Sequence, residues 1–358
     1  MSFEYKCVEI NEKNIWDEYL LNTTNPQILQ SYAWGEVKKK YSWQPIRLGI
    51  YKEKELKGVI LLLKKLIPFS GGRSIFYAPR GPIIDYDNPD ILKNLIKGIK
   101  KLNNYHKAVL LKIDPFIYEN NEKALYTLKE CGFIKTQEQI QPRSTFIIDL
   151  ERPCEEIIKS FEHKTRYNIK IAINKGVKVD IAEDEKGVSL FYELLKKTAQ
   201  RNRFVIHEEE YYHTIWHLLH NNGGCSIFLA SVNNEIVAGV FIFIFGEMCW
   251  YMYGASNDMF RNCMPNYLLH WEVIQWALKK GLKKYDLWGI PSNPTQDHPL
   301  WGVYRFKKGF NGEHVNLIGC YDLPISKLYY YIFQRGLVVY KKFVNLKTRG
   351  TLDSALEE

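Results

Sequence analysis

The stretch that decides the fold is residues 226–253, SIFLASVNNEIVAGVFIFIFGEMCWYMY. Its apolar runs SIFLASV, IVAGVFIFIF and CWYMY are typical of buried strands, and the turn NNE separates the first two. A helix opened by Pro265 and stopped by Gly281 follows, and then a strand, YDLWGI, that ends at Pro291. The pattern predicts an α/β unit in the order strand, strand, strand, helix, strand.

The same order occurs once earlier in the chain. The earlier copy is predicted as strands at 46–51, 59–63 and 74–77, a helix from about 90 to 102 and a strand at 108–113. Gly58-Val59 in this copy corresponds to Gly239-Val240 in the later one. Self-similarity of this kind favours two copies of one α/β unit over one large sheet.

Helical material precedes each copy, at 15–40 for the first and at 155–175 and 187–201 for the second. Helices followed by an antiparallel meander, a helix and a strand resemble the acyltransferase fold of the GNAT superfamily. We therefore expect an α/β (α+β) protein of two tandem GNAT-like domains with mixed, mostly antiparallel sheets. The expected domains are residues 1–144 and 145–320. Residues 321–358 are expected to form a C-terminal helical segment that packs back on domain 1.

Composition restricts the class of protein and of partner. Hydrophobic residues make up 46% and charged residues 25% of the 358, which is typical of a globular chain and not of a disordered one. The net charge of +9 favours an anionic partner such as a phosphate compound, RNA or an acidic membrane face, with a merely soluble basic protein as the alternative. Because residues 1–20 are acidic and no apolar run is long enough to span a membrane, we expect a cytoplasmic protein.

The loops argue against coenzyme A as the donor. Acetyl-CoA enzymes of the GNAT fold hold the pyrophosphate in a glycine-rich turn at a helix N-terminus. The first copy has APRGP at 78–82, where two prolines remove backbone donors, and the second has GASN at 254–257. A coenzyme A donor is therefore disfavoured.

Side chains offer other ways to hold phosphate. The basic candidates are Lys38 with its neighbours 39 and 40, and Lys164, Arg166 and Lys170 in a stretch without acids. Such a helix suits phosphate contacts whose affinity falls with salt, although most such runs are solvated helix faces.

Three histidines, His213, His217 and His220, follow helical spacing and could offer imidazoles to a metal. The chain has no H-E-x-x-H glutamate beside them and no nearby Cys or Asp. We therefore expect a surface helix and no metal site.

Several short motifs follow one another along the chain, and their order is more specific than any single motif. They are Gln30-Ser31, Trp34, Lys38, Gly81-Pro82, Asp114-Pro115, Ile140-Gln141-Pro142-Arg143 running to Asp149-Leu150, Lys164-Thr165, Lys170, Gly176-Val177, Trp250-Tyr251-Met252-Tyr253, Ser256, Gln275-Trp276-Ala277, Tyr285-Asp286-Leu287, Gly289-Ile290, Phe306-Lys307 and Phe310. In this order they resemble the FemABX family, the nonribosomal peptidyltransferases that use aminoacyl-tRNA to build the interpeptide bridge of peptidoglycan. Because the second half has no room for a helical arm, the chain resembles the shorter, arm-less members.

The resemblance implies an enzyme that moves an amino acid from aminoacyl-tRNA to an amine of a peptidoglycan precursor stem peptide, UDP-linked or lipid-linked. It implies a monomer that sits in the cytoplasm, with peripheral contact to the inner membrane face. Lys38, four residues after Trp34, matches the phosphate-binding lysine of the family. Tyr211 and Tyr253 match further precursor-binding positions, with an inward-pointing core residue as the alternative for Tyr253, because alternate residues of a strand point inward. His207 stands where soluble-precursor members have an arginine.

Transfer from a ribose ester to an amine is downhill, so we expect no cofactor and no metal, and the enzyme must mainly position its substrates. Phe306-Lys307 matches the pair placed at the acyl donor, and we assign Lys307 to the developing oxyanion, with a solvated lysine as the alternative. Asp114 is a candidate to orient or deprotonate the amine, with a turn-capping aspartate as the alternative. Lys164, Arg166 and Lys170 are the candidate tRNA contacts.

Two other functions stay open. One is N-acyl transfer from acyl-CoA on the same fold. The other is a non-catalytic RNA-binding or membrane-surface protein, suggested by residues 327–347, where aromatic and aliphatic residues mix with Arg335, Lys341, Lys342 and Lys347.

Overall fold

The structure is a computed structural model that describes residues 4–336. Within that range the chain divides into two compact units. Unit 1 comprises residues 4–143 and 316–336, and unit 2 is Ser144–Val315. Each unit is a mixed α/β structure built on one sheet.

The strands in chain order are β1 (Tyr5–Glu9), β2 (Gln44–Lys52), β3 (Glu55–Leu66), β4 (Ser74–Ala78), β5 (Ile83–Ile84), β6 (Ala108–Ile113), β7 (Ile134–Lys135), β8 (Ser144–Asp149), β9 (Lys178–Ile181), β10 (Cys225–Val232), β11 (Glu235–Phe245), β12 (Met248–Ser256), β13 (Lys284–Asp286), β14 (Glu313–Asn316) and β15 (Tyr321–Pro324). The helices are α1 (Lys13–Leu21), α2 (Tyr32–Lys39), α3 (Pro89–His106), α4 (Glu122–Glu130), α5 (Cys154–Ser160), α6 (His163–Asn174), α7 (Lys186–Asn202), α8 (Glu209–Leu219), α9 (Pro265–Lys279) and α10 (Trp301–Lys308).

The sheet of unit 1 has eight strands in the order β1-β2-β3-β4-β6-β15-β7, with β5 paired to β3 outside this path. Strands β2, β3 and β4 form an antiparallel meander, and α3 then returns the chain so that β6 pairs with β4 in parallel. The predicted order of strand, strand, strand, helix, strand is confirmed.

The sheet of unit 2 has seven strands in the order β14-β8-β13-β12-β11-β10-β9. Strands β10, β11 and β12 again form an antiparallel meander, and β13 pairs with β12 in parallel after α9. On the far side of β13 lies β8, antiparallel, just as β15 lies antiparallel beside β6 in unit 1. The predicted internal repeat and the mixed, mostly antiparallel sheets are therefore both confirmed.

Each unit has its own hydrophobic core. In unit 2 the core joins the sheet to α6 and α9, and Phe161 and Phe310 are among its fully buried side chains. Because Phe310 comes just after α10, its burial anchors the end of that helix against the core. The position of α10 is thus set by ordinary apolar packing.

The start of α2 is fixed by the Gln30-Ser31 motif. The Ser31 hydroxyl accepts from the Trp34 amide at 3.1 Å, which is an N-cap interaction. The buried Gln30 side chain donates to the Pro79 carbonyl and accepts from the Leu61 amide. This motif therefore ties α2 to the sheet of unit 1.

One predicted helix is interrupted and one predicted strand is shorter than expected. The helix predicted over 155–175 is broken at Phe161 and Glu162, which are extended, and Arg166 there donates to the Lys159 and Phe161 carbonyls. The predicted strand YDLWGI stops at Asp286, because Trp288 adopts a left-handed conformation (φ 58°) and its amide donates to the Asp286 carboxylate at 2.7 Å.

The segment after residue 320 also differs from expectation at its start. It does not begin as a helix: β15 first pairs with β6 and β7, and only residues 327–336 are helical. The rest of the predicted segment, with Lys341, Lys342 and Lys347, lies outside the described residues. Between residues 4 and 336, no helix combines the length and the apolar character that crossing a membrane requires.

Candidate functional site

Lys307 is a buried lysine at the inner face of α10. Its side chain is 6% exposed, whereas the next residue, Lys308, is exposed. The register of α10 is set by the buried Phe310, so Lys307 turns inward while Lys308 turns outward. The alternative that Lys307 is a solvated lysine is therefore wrong.

The Lys307 ammonium lies against backbone carbonyls and an aromatic face. Its Nζ donates to the Gly289 carbonyl oxygen at 2.7 Å and lies 3.4 Å from that of Trp288. It also lies 5.1 Å from the centroid of the Tyr251 ring. Carbonyl dipoles and a ring face stabilise a buried cation without neutralising it.

The turn after β13 aims these carbonyls at Lys307. The Asp286 carboxylate is buried and accepts hydrogen bonds from the Thr145 hydroxyl and the Trp288 amide. These bonds hold Trp288 at its left-handed φ, a conformation that costs energy in a residue other than glycine. Thr145, Asp286 and Trp288 thus position the partners of Lys307.

Strands β12 and β13 separate beside Lys307. Their parallel pairing ends at Trp250 and Asp286, although β12 continues to Ser256. The segment of β12 beyond the last pair begins with Tyr251, the residue whose ring faces the Lys307 ammonium. Unit 2 therefore presents a buried cation and an aromatic ring where the two strands part.

A β-bulge divides the tyrosines of β12 between two sides of the sheet. The β11–β12 register skips Met252, so Tyr251 and Tyr253, which would share a face in a regular strand, point in different directions. Tyr251 contacts His270 of α9, with 4.5 Å between ring centroids. Tyr253 contacts Tyr212 of α8, at 5.3 Å.

An aromatic cluster surrounds the α9 side of Lys307. Phe306 packs against His270 and Tyr267 with ring centroids 5.4 and 5.0 Å apart. Burial lowers the pKa of His270 to about 3, and the Lys307 charge adds to the effect. His270 is therefore neutral at physiological pH and adds no charge to that of Lys307.

Three predicted substrate-binding residues lie together on the other side of β12. The exposed His207 ring stacks on the buried Tyr211 ring, with 3.9 Å between centroids. Tyr211 in turn hydrogen-bonds Tyr253, and burial raises the pKa of the Tyr253 hydroxyl well above its ordinary value. The group offers a flat ring and neutral hydroxyls, which suit a polar uncharged ligand surface.

In unit 1 the predicted phosphate-binding lysine has an unusual environment. Lys38 is half-buried and its Nζ lies 5.3 Å from the centroid of the buried Trp34 ring, whereas Lys39 and Lys40 are exposed. Burial, together with the nearby Lys65 charge, lowers the pKa of Lys38 to about 8. Two cations near one another favour an anion between them.

Asp114 does not face a ligand site. The side chain is 0% exposed and accepts from the Tyr77 hydroxyl at 2.7 Å and the Arg80 amide at 2.6 Å. Tyr77 also accepts from the Gln141 side chain. Because its oxygens hold the loop after β4, Asp114 is a structural residue, and the expectation that it acts on the substrate amine is withdrawn.

The predicted tRNA contacts separate into two kinds. On α6, Lys164 and Lys170 are exposed, and the exposed Tyr167 lies between them. Arg166 instead caps the break before α6. The buried Thr165 hydroxyl packs so closely against Gly309 that a Cβ at position 309 would collide with it. Because Lys164 is the neighbour of Thr165, it lies beside the end of α10.

The sequence alone predicted no role for Tyr251, Thr145 or Asp286. Tyr251 and Asp286 stood within matched motifs, which was a usable signal. Thr145 gave none beyond its place in a predicted strand, because the bond to Asp286 joins residues far apart in the chain.

With two GNAT-like units in one chain, the protein has a tandem GNAT-like fold. A solved structure described as a tandem GNAT protein from the clavulanic acid biosynthesis pathway has a TM-score of 0.57 at 12% identity, covering 90% of this chain and 99% of that one. The crystal structure of FemX has a TM-score of 0.83 at 24% identity, covering 91% of this chain and 99% of that one.

The FemAB family model matches residues 12–236 and 230–335, and the chain belongs to the FemAB family. The resemblance drawn from the ordered motifs is confirmed. Among the relatives are lipid II:glycine glycyltransferases of Staphylococcus aureus strains MRSA252 and USA300. Each is 25% identical over 393 residues, which covers 89% of this chain and 93% of the relative.

Proposed function

We propose that this protein is an aminoacyltransferase that moves an amino acid from aminoacyl-tRNA to an amine on the stem peptide of a lipid-linked peptidoglycan precursor. The observation that carries the proposal is the buried Lys307 ammonium beside the parting of β12 and β13, in a chain of the FemAB family. The relatives named for lipid II support the lipid-linked form of the acceptor.

The reaction requires an amine to attack the ester carbonyl of the aminoacyl-tRNA. A tetrahedral oxyanion forms, the C–N bond replaces the ester C–O bond, and the ribose hydroxyl leaves with the proton that the amine gives up. The Lys307 ammonium stabilises the oxyanion, because a buried, fixed cation interacts with developing charge more strongly than a solvated one. Phe306 and Tyr251 exclude water around it.

Each unit carries candidate contacts for the precursor. Lys38, with Trp34 beneath it and Lys65 nearby, binds the phosphate. The stacked His207 and Tyr211, with Tyr253, contact the sugar or peptide part through ring faces and hydroxyls. The donor tRNA contacts α6 through Lys164 and Lys170, and Tyr167 offers a ring on which a base can stack.

A lipid-linked acceptor requires approach to a membrane, and unit 1 offers an apolar surface with basic residues. Phe69 at the tip of the β3–β4 turn and Leu328, Tyr331 and Ile332 of the 327–336 helix are all exposed. Arg73 of the turn packs over the Tyr329 ring, with 3.3 Å to the centroid, which holds turn and helix together. We assign peripheral membrane contact to this turn-helix surface.

The test is direct product analysis. The purified chain is incubated with charged total tRNA and either the lipid-linked or the UDP-linked precursor, and the products are weighed. We expect a mass increase of one amino-acid residue, greater with the lipid-linked precursor. Acetylation from acetyl-CoA with no product from charged tRNA would contradict the proposal and support acyl-CoA transfer instead.

Lys307→Met should lower the rate of transfer by on the order of 10²- to 10³-fold, because one oxyanion donor is lost. Lys308→Met is the matched control, since it removes the same charge from the exposed neighbouring position. Binding of the precursor, measured by calorimetry, should be the same in both variants. Equal turnover in the two variants would remove Lys307 from the reaction.

A further inference from the structure

The N-terminus of α7 and the middle of α8 bring a carboxylate and two imidazoles together in unit 2. Ligand atoms of Glu185, His213 and His217 all lie within 4.8 Å of one another. His213 and His217 are one helical turn apart on α8, and Glu185 directly precedes α7. The third histidine of the sequence pattern, His220, lies elsewhere, because its ring stacks on Trp216 at 3.7 Å between centroids.

The distances fit the coordination sphere of a metal ion. The Nδ1 atoms of His213 and His217 lie 3.7 and 3.4 Å from the two carboxylate oxygens of Glu185. Tetrahedral zinc with bonds of about 2.0 Å requires ligand atoms about 3.3 Å apart. These gaps are too long for hydrogen bonds but match the edges of such a tetrahedron.

The state of His213 is a second, independent observation. Its Nδ1 atom is buried and has no hydrogen-bond partner. Buried ring nitrogens are normally satisfied, so an orphaned one that faces a carboxylate and a second imidazole is typical of a metal ligand.

The opposite nitrogen of His213 is held by other groups. Its Nε2 lies 3.3 Å from the Ser189 hydroxyl and 3.6 Å from the Glu209 carboxylate. Metal-ligating histidines usually direct their second ring nitrogen to a hydroxyl, carbonyl or carboxylate, which fixes the tautomer that presents the ligand lone pair. A His213 tautomer with its proton on Nε2 leaves the Nδ1 lone pair facing Glu185 and His217.

The Glu185 side chain is available as a ligand because the neighbouring Asp184 side chain makes the hydrogen bond at the start of α7. The side chain of Asp184, not of Glu185, accepts from the Lys186 amide at the start of α7. Glu185 is the N-cap residue of α7, but its side chain makes no capping bond and its carboxylate lies beside His213 and His217 of α8.

We propose that Glu185, His213 and His217 form a Zn²⁺ site, with water as the fourth ligand and with Glu209 and Ser189 orienting His213. Two imidazoles and one carboxylate are a ligand set that zinc accepts. The ion joins the start of α7 to α8, and so restrains the 203–208 connection that carries His207 and precedes Tyr211. Its role is to stabilise this part of unit 2, and it takes no part in the transfer reaction.

The test uses the full chain, stripped of metal and titrated with Co²⁺ as a spectroscopic probe for Zn²⁺. We expect one Co²⁺ per chain with visible absorption typical of four-coordinate nitrogen and oxygen ligation, displaced by Zn²⁺. His217→Ala and Glu185→Gln should weaken binding by more than tenfold, and Glu209→Gln by about tenfold, since it removes only an orienting group. Zn²⁺ should also raise the Tm of the parent chain and leave that of the His217→Ala chain unchanged.

His220→Gln is the matched control, because it removes a histidine from the same sequence pattern without touching the cluster. It should bind Co²⁺ like the parent chain. Both His217 and Glu185 are exposed, so their variants should keep the circular dichroism of the parent. Equal Co²⁺ affinity in the parent and Glu185→Gln chains would overturn the site. So would a sulfur-to-cobalt charge-transfer band, which would place the ion on a cysteine.

Discussion

At the residue scale, burial gives two lysines properties that exposed lysines lack. Lys307 is held by carbonyls inside unit 2, and Lys38 is half-buried above Trp34 in unit 1. An ammonium removed from water interacts more strongly with a substrate anion. For Lys38 the same burial also lowers the pKa, so the binding assigned to Lys38 depends on pH.

Binding through Lys38 should weaken as the pH rises through about 8, the pKa to which burial and Lys65 lower this group. Only the protonated form attracts phosphate, so kcat/KM for the precursor should fall about tenfold per pH unit above that value if Lys38 is required. Lys38→Arg should keep its charge and move the fall to higher pH. The measurement is the pH profile of kcat/KM, with exposed Lys39→Met as the control that keeps the parent profile.

The effect of Lys38 on stability has the opposite pH dependence to its effect on binding, so the fall in kcat/KM can be distinguished from unfolding. The folded chain releases the Lys38 proton near pH 8, whereas the unfolded chain holds it to the ordinary lysine value of 10.5. Between these values the unfolded state binds more protons, so the contribution of Lys38 to the free energy of unfolding rises with pH. A chain that unfolded as kcat/KM fell would contradict a binding role for Lys38.

The orientation and the partners of single side chains could not be predicted from the sequence. The motif match could place Lys307 at the acyl donor, but the letters R-F-K-K do not tell which lysine turns inward. That depends on Phe310 packing into the core. Asp114 was misjudged for the same reason, because its partners Tyr77 and Arg80 come from another part of the chain.

At the scale of elements, α6 presents Lys164, Tyr167 and Lys170 to solvent. We expect Lys164→Gln with Lys170→Gln to raise the KM for aminoacyl-tRNA and to leave the KM for the precursor unchanged. Each lost phosphate contact should lower the slope of log affinity against log salt by about 0.7 to 0.9. The measurement is tRNA binding over a series of salt concentrations.

Lys97→Gln with Lys100→Gln on α3 is the matched control, since it removes the same charge from exposed positions of another helix. If both double variants changed the salt slope equally, the effect would come from net charge and α6 would have no specific role.

Periodicity predicted most helices and strands because these depend on nearby residues. It could not predict the bulge at Met252, which depends on pairing between β11 and β12, and so it left open whether Tyr253 is core. It also missed Glu185 beside His213 and His217, because that carboxylate belongs to a different helix.

At the scale of the whole molecule, the fold was predictable because the sequence contains two copies of the same α/β unit. Each copy alone is ambiguous, but the shared order of a meander, a helix and a parallel return strand restricts the topology strongly. The repeat did not predict which strands would flank β6 and β13. Those are β15 and β8, which lie outside the repeated stretches.

The proposed membrane contact involves the turn-helix surface of unit 1, and we expect the chain to cosediment with vesicles that contain anionic lipid. Phe69→Ser with Tyr331→Ser should reduce the bound fraction severalfold, because it removes two exposed aromatic side chains from the turn-helix surface. Tyr126→Ser, at an exposed tyrosine of α4, is the control and should bind normally. Unchanged binding in the double variant would exclude this surface.

The place of β15 has a consequence for how the polypeptide is made. The sheet of unit 1 is completed only when β15 joins β6 and β7, yet Ser144–Val315 is translated before β15. The lobe that leaves the ribosome first must therefore wait, with β6 as an open edge, until the second has been synthesised. A chain truncated after Asn316 would carry a complete second lobe and a first lobe prone to pair with other strands.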